Sequence, residues 1–390
     1  MSLRFLTSGE SHGPALAAIL EGMPAGLSID AAIINHELIR RQRGYGAGAR
    51  MKLENDQVEI IAGIMDGKTI GAPISMLIPN RDHKNWRGKP IPPFTSPRPG
   101  HADLTATTKY GYHDLRPALE RASARETAAR VAIGAICKHF LAQFDIEIGG
   151  YVTSIGEVTA DLSKIPLEKR ASLAEESDVR CPDSKAAQEM QSRIRSVMDE
   201  RDTLGGIIEV VVDGLPPGLG SHVHADRRLS GRLAAAALSV QAMKGVEIGP
   251  AFANTHLTGT QVHDGIYLED DKLNRPTNRS GGLEGGITNG QPLVIRTAMK
   301  PIATTLTPQD TVDLATSKEV PTQYERSDFC PVPRAVPILE CVFAFVLADA
   351  FLRKVGGDSM AEIRPRFQSL KQTRPSDLPM DNQDHIWWAD

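Results

Sequence analysis

Three stretches of this chain are too apolar to lie on a surface, so any fold must bury them together. They are residues 124–144, 229–243 and 337–355. Each is dominated by Ala, Val, Ile and Leu, carries few breakers, and has the length of a helix rather than a strand. A helix that is apolar on most of its faces lies inside a core. The third stretch begins at Pro337, which the pattern puts in the first turn, where a missing N–H costs nothing. At 390 residues the chain can bury such a core, either as two domains or as one large duplicated one.

Short repeats favour duplication. Residues 21–27 read EGMPAGL and residues 213–219 read DGLPPGL; residues 63–67 read GIMDG and residues 286–290 read GITNG. In both halves the first motif precedes a helix and the second precedes a strand. The second half holds extra residues between its motifs. The expected architecture is two similar layers with the apolar helices between them, an α/β arrangement of the α+β type. The quasi-repeats span about 1–145 and 146–363, and an extended tail runs from 364 to 390. Strands are expected at 3–7, 58–62, 74–78, 146–158 and 207–212. A helix is expected at 30–42, with Ala32, Ile33, Leu38 and Ile39 near one face, and a charged helix at 184–201.

The net charge is −4, which argues against a surface built to attract nucleic acid. The first ten residues, MSLRFLTSGE, hold no apolar run of signal length, and no stretch approaches 18 uninterrupted apolar residues. A cytoplasmic protein without a membrane partner is the expectation. Cys137, Cys181, Cys330 and Cys341 have no CxxC spacing and read as reduced packing residues.

Cations are concentrated in a few places. Arg116, Arg121, Arg125 and Arg130 fall within fifteen residues, just before the first apolar helix. Ser123 and Glu126 have capping-box spacing, which starts that helix near Ala124. Its N-terminus offers unpaired N–H groups and a positive dipole end, so arginines around it make an anion site. Residues 40–52 hold Arg40, Arg41, Arg43, Arg50 and Lys52 with no acid among them. Glycines at 44, 46 and 48 make this a loop that can close over an anion; a solvated loop has the same composition.

Other motifs carry competing readings. GESHG, residues 9–13, fits the Gly-x-Ser-x-Gly nucleophile elbow, with Ser11 as nucleophile. Only one short strand precedes it, whereas such elbows sit deep in a doubly wound sheet. His222 and His224 with Asp226 have metal-ligand spacing, but no further ligand set stands out. GYGAGA, residues 44–49, has the glycines of a dinucleotide fingerprint but follows a helix rather than a strand. His12 and His101 lie in glycine-flanked loops rather than on an apolar face. Histidines so placed are candidates for proton transfer to a leaving phosphate or a cofactor.

Taken in order, GESHGPAL, EGMPAGL, RRQRGYGAGARM, RPGHADL, KYGYHDLRPALERASARETAARVA, QAMKGVEIG, RSGGLEGGITNG, MKPIAT and ERSDFC resemble the chorismate synthase family. The resemblance covers about residues 3–363. It implies long helices between two antiparallel sheets, a homotetramer, and conversion of 5-enolpyruvylshikimate 3-phosphate to chorismate and phosphate. It also implies a requirement for reduced FMN, in an anti-1,4-elimination without net redox change, with NADPH as a reductant in some members. By the same resemblance His12 protonates the departing phosphate, His101 protonates reduced flavin, and Asp328 assists near the flavin. The implied FMN contacts are Arg121, Ala122, Ser123, Gln241, Ala242, Gly285, Lys300, Pro301, Ile302, Ala303, Thr304 and Arg326. Arg41, Arg50 and Arg125 are the implied contacts to substrate or NADPH; no metal is implied. Two positions depart from the family pattern: Ala47 stands where an arginine is common, and Ala122 where a serine is.

Overall fold

Gly134 sets the centre of the fold. In the computed structural model, which describes residues 2–46, 55–325, 327–370 and 372–388, the Thr127–Ala142 and Val332–Val355 helices meet there. A Cβ added at Gly134 would lie 2.3 Å from Cys341 Cβ and 2.4 Å from the Cys341 carbonyl oxygen. Only glycine lets two helix backbones come this close. The pair is sandwiched between two antiparallel sheets. The Thr127–Ala142 helix packs on the first sheet and the Val332–Val355 helix on the second.

The two sheets share one strand order. The first runs Arg4–Ser8, Ala15–Glu21, Ile74–Pro79, Glu59–Ala62. The second runs Glu147–Ile155, Gly206–Asp213, Leu293–Met299, Met243–Ile248, with the two-residue strand Val158–Thr159 added outside Glu147–Ile155. The loops repeat as well. Thr69 Oγ1 donates to the Pro24 carbonyl at 2.6 Å and accepts from Leu27 N at 2.9 Å. Thr288 Oγ1 does the same with Pro216 at 2.7 Å and Leu219 at 2.8 Å.

This symmetry corrects one sequence pairing. The hairpin Ile64–Met65/Lys68–Thr69 corresponds to Leu283–Glu284/Ile287–Thr288. Gly63 therefore matches Gly282, not Gly286, and GIMDG pairs with GLEGG rather than GITNG. Gly63 and Gly282 have φ of 91° and 86°, and a Cβ on either would strike the carbonyl just before a strand, Pro73 O at 2.5 Å or Pro292 O at 2.6 Å. The extra residues of the second half form two short helices, Ala251–Asn254 and Gly259–Val262, and the hairpin Tyr267–Glu269/Lys272–Asn274.

Several elements differ from the sequence reading for visible reasons. The stretch from 229 stops being helical at Leu238; Ala242, at φ 67°, turns the chain into the Met243–Ile248 strand. GESHG leads into a strand, not a helix. The last long helix starts at Val332, so Pro337 lies inside it rather than in its first turn. The carbonyl that Pro337 leaves without its helical N–H, that of Pro333, accepts from Arg180 Nη1 at 2.7 Å. The Met360–Gln368 helix continues past 364, where an extended tail was expected. The Val332–Val355 helix is long and apolar enough to cross a membrane by length alone, but its most apolar window is 94% buried between the sheets.

The Ala31–Gln42 helix buries Ile34, Glu37, Leu38, Arg40 and Arg41, leaving Ile39 exposed. Its inner face was masked in the sequence because half of it is charged. Arg40 donates to Glu340 Oε2 at 2.6 Å and Oε1 at 2.9 Å; Lys138 Nζ and Gly150 N reach the same carboxylate at 2.5 and 2.9 Å. One fully buried acid thus ties three helices to a strand. Burial alone would raise the Glu340 pKa, but Lys138 and Arg40 outweigh it and hold the group below its ordinary 4.5.

Two outcomes follow. Gly134→Ala should cost about 1–3 kcal/mol or more through overpacking, read as a lower denaturation midpoint; an unchanged midpoint would mean the helices do not touch there. Glu340→Gln should cost about 1–3 kcal/mol at neutral pH, because Arg40 and Lys138 lose their fully buried counter-charge but keep Glu37, and Arg40 also keeps Glu175. Because the folded pKa of Glu340 is depressed, its contribution is complete above about pH 4.5 and is lost as pH falls below it. The gap between wild type and variant should therefore shrink on acidification, and a pH-independent gap would refute the ion-pair account.

Candidate functional site

The N-terminal ends of both central helices open into one cavity of about 610 Å³. Among the described residues six cationic side chains line it, Arg41, Arg98, Arg125, Lys244, Lys300 and Arg334, against two acids, Glu325 and Asp328. The excess of cations selects for anionic ligands, and the volume suits small-molecule ligands.

The arginine cluster is built from three segments. Arg41, at the end of the Ala31–Gln42 helix, donates Nε to Thr127 Oγ1 and Nη2 to the Ala124 carbonyl, both at 2.9 Å. Arg125 donates Nε to Asn80 Oδ1 at 2.8 Å. Asp56, 1% exposed, accepts from Arg125 Nη1 at 2.6 Å and Arg41 Nη1 at 3.4 Å. Arg334 donates Nε to the Arg41 carbonyl at 3.1 Å and pairs through Nη1 with Asp328. Burial pushes Arg41 down to about 9; Asp56 opposes the shift, while Arg334 and Arg125 add to it. Arg41 is thus charged at neutral pH but short of counter-charge.

Both loop histidines reach the cavity, and each is held by a carboxylate. His12 Nδ1 lies 2.7 Å from Glu120 Oε1, and its backbone N–H donates to Glu120 Oε2 at 2.7 Å. The ring packs against Trp86 with centroids 4.0 Å apart and the planes tilted by 33°. His101 Nδ1 lies 2.5 Å from Oδ1 of Asp103, which is fully buried. Asp103 also accepts from Arg98 Nε at 2.8 Å and Nη2 at 3.0 Å, and Arg98 Nη1 reaches Thr304 Oγ1 at 3.0 Å. Burial would raise Asp103, yet His101 and Arg98 hold it well below the usual carboxylate range.

The expected site residues divide. His12, His101, Asp328, Ala122, Ser123, Gln241, Ala242, Lys300, Ile302, Ala303, Thr304, Arg41 and Arg125 line the cavity. Gln241 donates to Glu126 Oε2 at 3.5 Å, while its Oε1 is buried with no hydrogen-bond partner among the described residues. Burial and neighbouring Lys244 lower the Lys300 pKa. Three expected residues are not brought to the cavity. Arg121 donates instead to the Thr7 carbonyl at 3.1 Å and the Gly9 carbonyl at 3.4 Å. Gly285 sits in the Leu283–Thr288 hairpin, and Pro301 is outside the lining. Arg50, Arg326 and Ala47 lie outside the described residues.

The four-arginine anion site is also corrected. Of the four, only Arg125 lines the cavity. Arg116 is held between Trp86 and Phe94, 5.6 and 5.5 Å from the ring centroids, and Arg130 pairs with Glu126 at 2.9 Å. Ser123 caps a short 3₁₀ turn, Ala124–Glu126, and the α-helix begins at Thr127. Glu126 does not close the capping box, because it accepts from Thr7 Oγ1 at 2.7 Å and from Arg130.

The competing motifs fall away on geometry. Ser11 lies in a loop between two antiparallel strands, without the strand-to-helix turn of a nucleophile elbow. His224 bonds Asp226 at 2.6 Å on the surface, and no cluster of three metal-ligating side chains occurs among the described residues. Sequence reading missed Arg98, Asp103, Glu120, Asp56, Trp86 and Arg334. Asp103 stood two residues from His101, and Arg334 was a lone cation leading into an apolar run; both are usable signals.

Fold and site together define a two-sheet α+β protein with a cation-lined cavity, suited to small anionic ligands, that two histidines reach. The chorismate synthase family model matches residues 3–352. A chorismate synthase of Chlorobaculum tepidum is 49% identical, over 94% of this chain and 97% of the relative. One from Syntrophotalea carbinolica is 50% identical with the same coverages. A solved crystal structure of chorismate synthase superposes with a TM-score of 0.77 at 44% identity, covering 94% of this chain and 97% of that one. The chain belongs to the chorismate synthase family. It is a carbon–oxygen lyase of the shikimate pathway that eliminates phosphate from 5-enolpyruvylshikimate 3-phosphate to give chorismate, a reaction for which its family uses reduced flavin.

Asp56 should prove structural to this site. Asp56→Ala removes a buried carboxylate shared by Arg41 and Arg125 and should lower unfolding stability by about 1–3 kcal/mol in a denaturant titration. A loss below about 1 kcal/mol would show that the two guanidinium groups do not depend on it.

Proposed function

We propose that the cavity holds reduced FMN and 5-enolpyruvylshikimate 3-phosphate side by side, and that this chain's histidines manage the protons of the elimination. One observation carries the reading: two carboxylate-held histidines face a cavity with six cationic side chains. The orphan acceptor Gln241 Oε1 suits a flavin N–H donor, and Lys300 supplies a cation beside it.

Arg41 and Arg125, with Arg334 behind them, bind the substrate's phosphate and carboxylate groups through charge-assisted hydrogen bonds. Arg50 joins them from outside the described residues. Ala122, Ser123, Gln241, Ala242, Lys300, Ile302, Ala303 and Thr304 cradle FMN; Arg326, assigned to the same role by resemblance, lies outside the described residues. When bound, reduced FMN supplies transient electron density to the allylic phosphate without net redox change. His12 hands a proton to the departing phosphate oxygen. His101 holds a proton at the flavin side, and Asp328, paired with Arg334, orients that wall. Arg121, Gly285 and Pro301 are given no role.

The proposal extends to NADPH as a reductant of the flavin, a homotetramer, and action in the cytoplasm; family membership supports each. It also treats residues 3–363 as one unit of two quasi-repeats, followed by a tail. The matched strand orders support that division.

Under anaerobic conditions, phosphate release should require reduced FMN and consume no stoichiometric reductant. His12→Ala should slow single-turnover phosphate release roughly 10²-fold or more. Equal release with oxidised FMN, or a His12→Ala variant at wild-type rate, would overturn the proposal.

A further inference from the structure

We infer that Glu120 is a positioning residue that pairs with the His12 imidazole and turns it so that Nε2–H serves the cavity. This rests on the reading of His12 as the proton donor to phosphate. The argument starts from the two contacts Glu120 makes to one residue. Oε1 takes the ring Nδ1 at 2.7 Å and Oε2 takes the backbone N–H of the same histidine at 2.7 Å. The bidentate grip fixes both the ring and the loop that carries it. Nδ1 is committed to the carboxylate as a donor, so Nε2 is the nitrogen left for a ligand. Both side chains are 12% exposed, where a carboxylate stabilises an adjacent cation far more than in water. Burial would raise the Glu120 pKa, but the hydrogen bonds and charge of His12 pull it below its usual value. The Trp86 ring face, 4.0 Å from the imidazole centroid, adds a surface that favours a charged ring.

The second histidine shows what Glu120 does differently. At His101 the carboxylate of Asp103 is already matched by Arg98, which donates two guanidinium hydrogen bonds to it. Arg98 Nη2 also approaches His101, 3.0 Å from Nδ1. That ring is oriented by a neutralised ion pair, with a cation against it. Near Glu120 the charge of Arg116, on the same helix, acts on the carboxylate without a hydrogen bond. His83 approaches from the short His83–Trp86 helix, but its Nδ1 meets the His12 carbonyl at 2.9 Å, not the ring. One carboxylate charge therefore remains for the His12 imidazolium. When Nε2–H gives its proton to the leaving phosphate oxygen, the ring relaxes to the neutral Nδ1–H tautomer, still bonded to Glu120. The next proton then returns to Nε2 without the ring turning.

The test is the pH profile of anaerobic single-turnover phosphate release, with reduced FMN, for wild type, Glu120→Gln, Glu120→Asp and His12→Ala. Glutamine keeps the size and one acceptor but removes the charge. Glu120→Gln should slow release about 10- to 100-fold at neutral pH, shift the alkaline fall of activity to lower pH, and recover in part on acidification. Substrate affinity should change less than about threefold, since Glu120 does not line the cavity. Glu120→Asp retains the charge and should keep the wild-type pH profile with a smaller loss of rate. A Glu120→Gln loss that is equal at every pH, or a fall in affinity in place of rate, would overturn the inference, as would unchanged activity. If His12→Ala releases phosphate at the wild-type rate, the reading of His12 itself fails. If His12→Ala is impaired while the Glu120→Gln profile does not move, only the role of Glu120 fails.

Discussion

The contact between two helix backbones at Gly134 and Cys341 is the constraint on which the rest of the structure depends. It sets the spacing of the helices, and each helix carries one of the two sheets. It also brings their N-terminal ends to one place. The Thr127–Ala142 helix begins just after Arg125, and the Val332–Val355 helix carries Arg334 in its first turn. Two positive dipole ends and two arginines converge at one wall of the cavity. The site is a consequence of how the core packs, and a Cβ at position 134 would act on both.

Much of the architecture was legible because it rests on periodicity and repetition. The apolar helices, the motif EGMPAGL/DGLPPGL and the strands Arg4–Ser8, Glu59–Ala62, Ile74–Pro79, Glu147–Ile155 and Gly206–Asp213 map onto expected elements, whereas the strands Ala15–Glu21, Met243–Ile248 and Leu293–Met299 were not read from the sequence. The illegible parts have particular causes. The pairing of GIMDG with GITNG was four residues out, because glycine-rich hairpins look alike and only Thr69 and Thr288, by their matched hydrogen bonds, fix the register. The inner face of the Ala31–Gln42 helix was misread because Glu37, Arg40 and Arg41 are buried there, and apolar periodicity is blind to buried ion pairs. Arg121 and Arg130 were expected at the anion site because of their spacing, yet strand carbonyls and Glu126 claim them. Arg98 and Arg334 reach the cavity from distant segments, and nothing local to either sequence says so.

A site for anions has to exist before the anions arrive, and that shapes its electrostatics. Asp56 serves two arginines at once, one on each carboxylate oxygen, at 2.6 and 3.4 Å. Had every arginine its own acid, the wall would be neutral and a phosphate would gain little by binding. Had none an acid, the buried charges would repel and the cluster would be unstable. Among the described residues Asp56 is shared between these two arginines, and Arg41 is pushed down to about 9 by burial, with Asp56 opposing the shift and Arg334 and Arg125 adding to it. A phosphate dianion would add counter-charge. Ligand binding and local stability are therefore coupled by mass action, since whatever binds only the folded cluster stabilises it. The same rule separates the two histidines. Asp103 is spent on Arg98 and orients His101, whereas Glu120 keeps its charge for His12. In each case the sharing of a carboxylate, more than the identity of the group it holds, decides what that group can do.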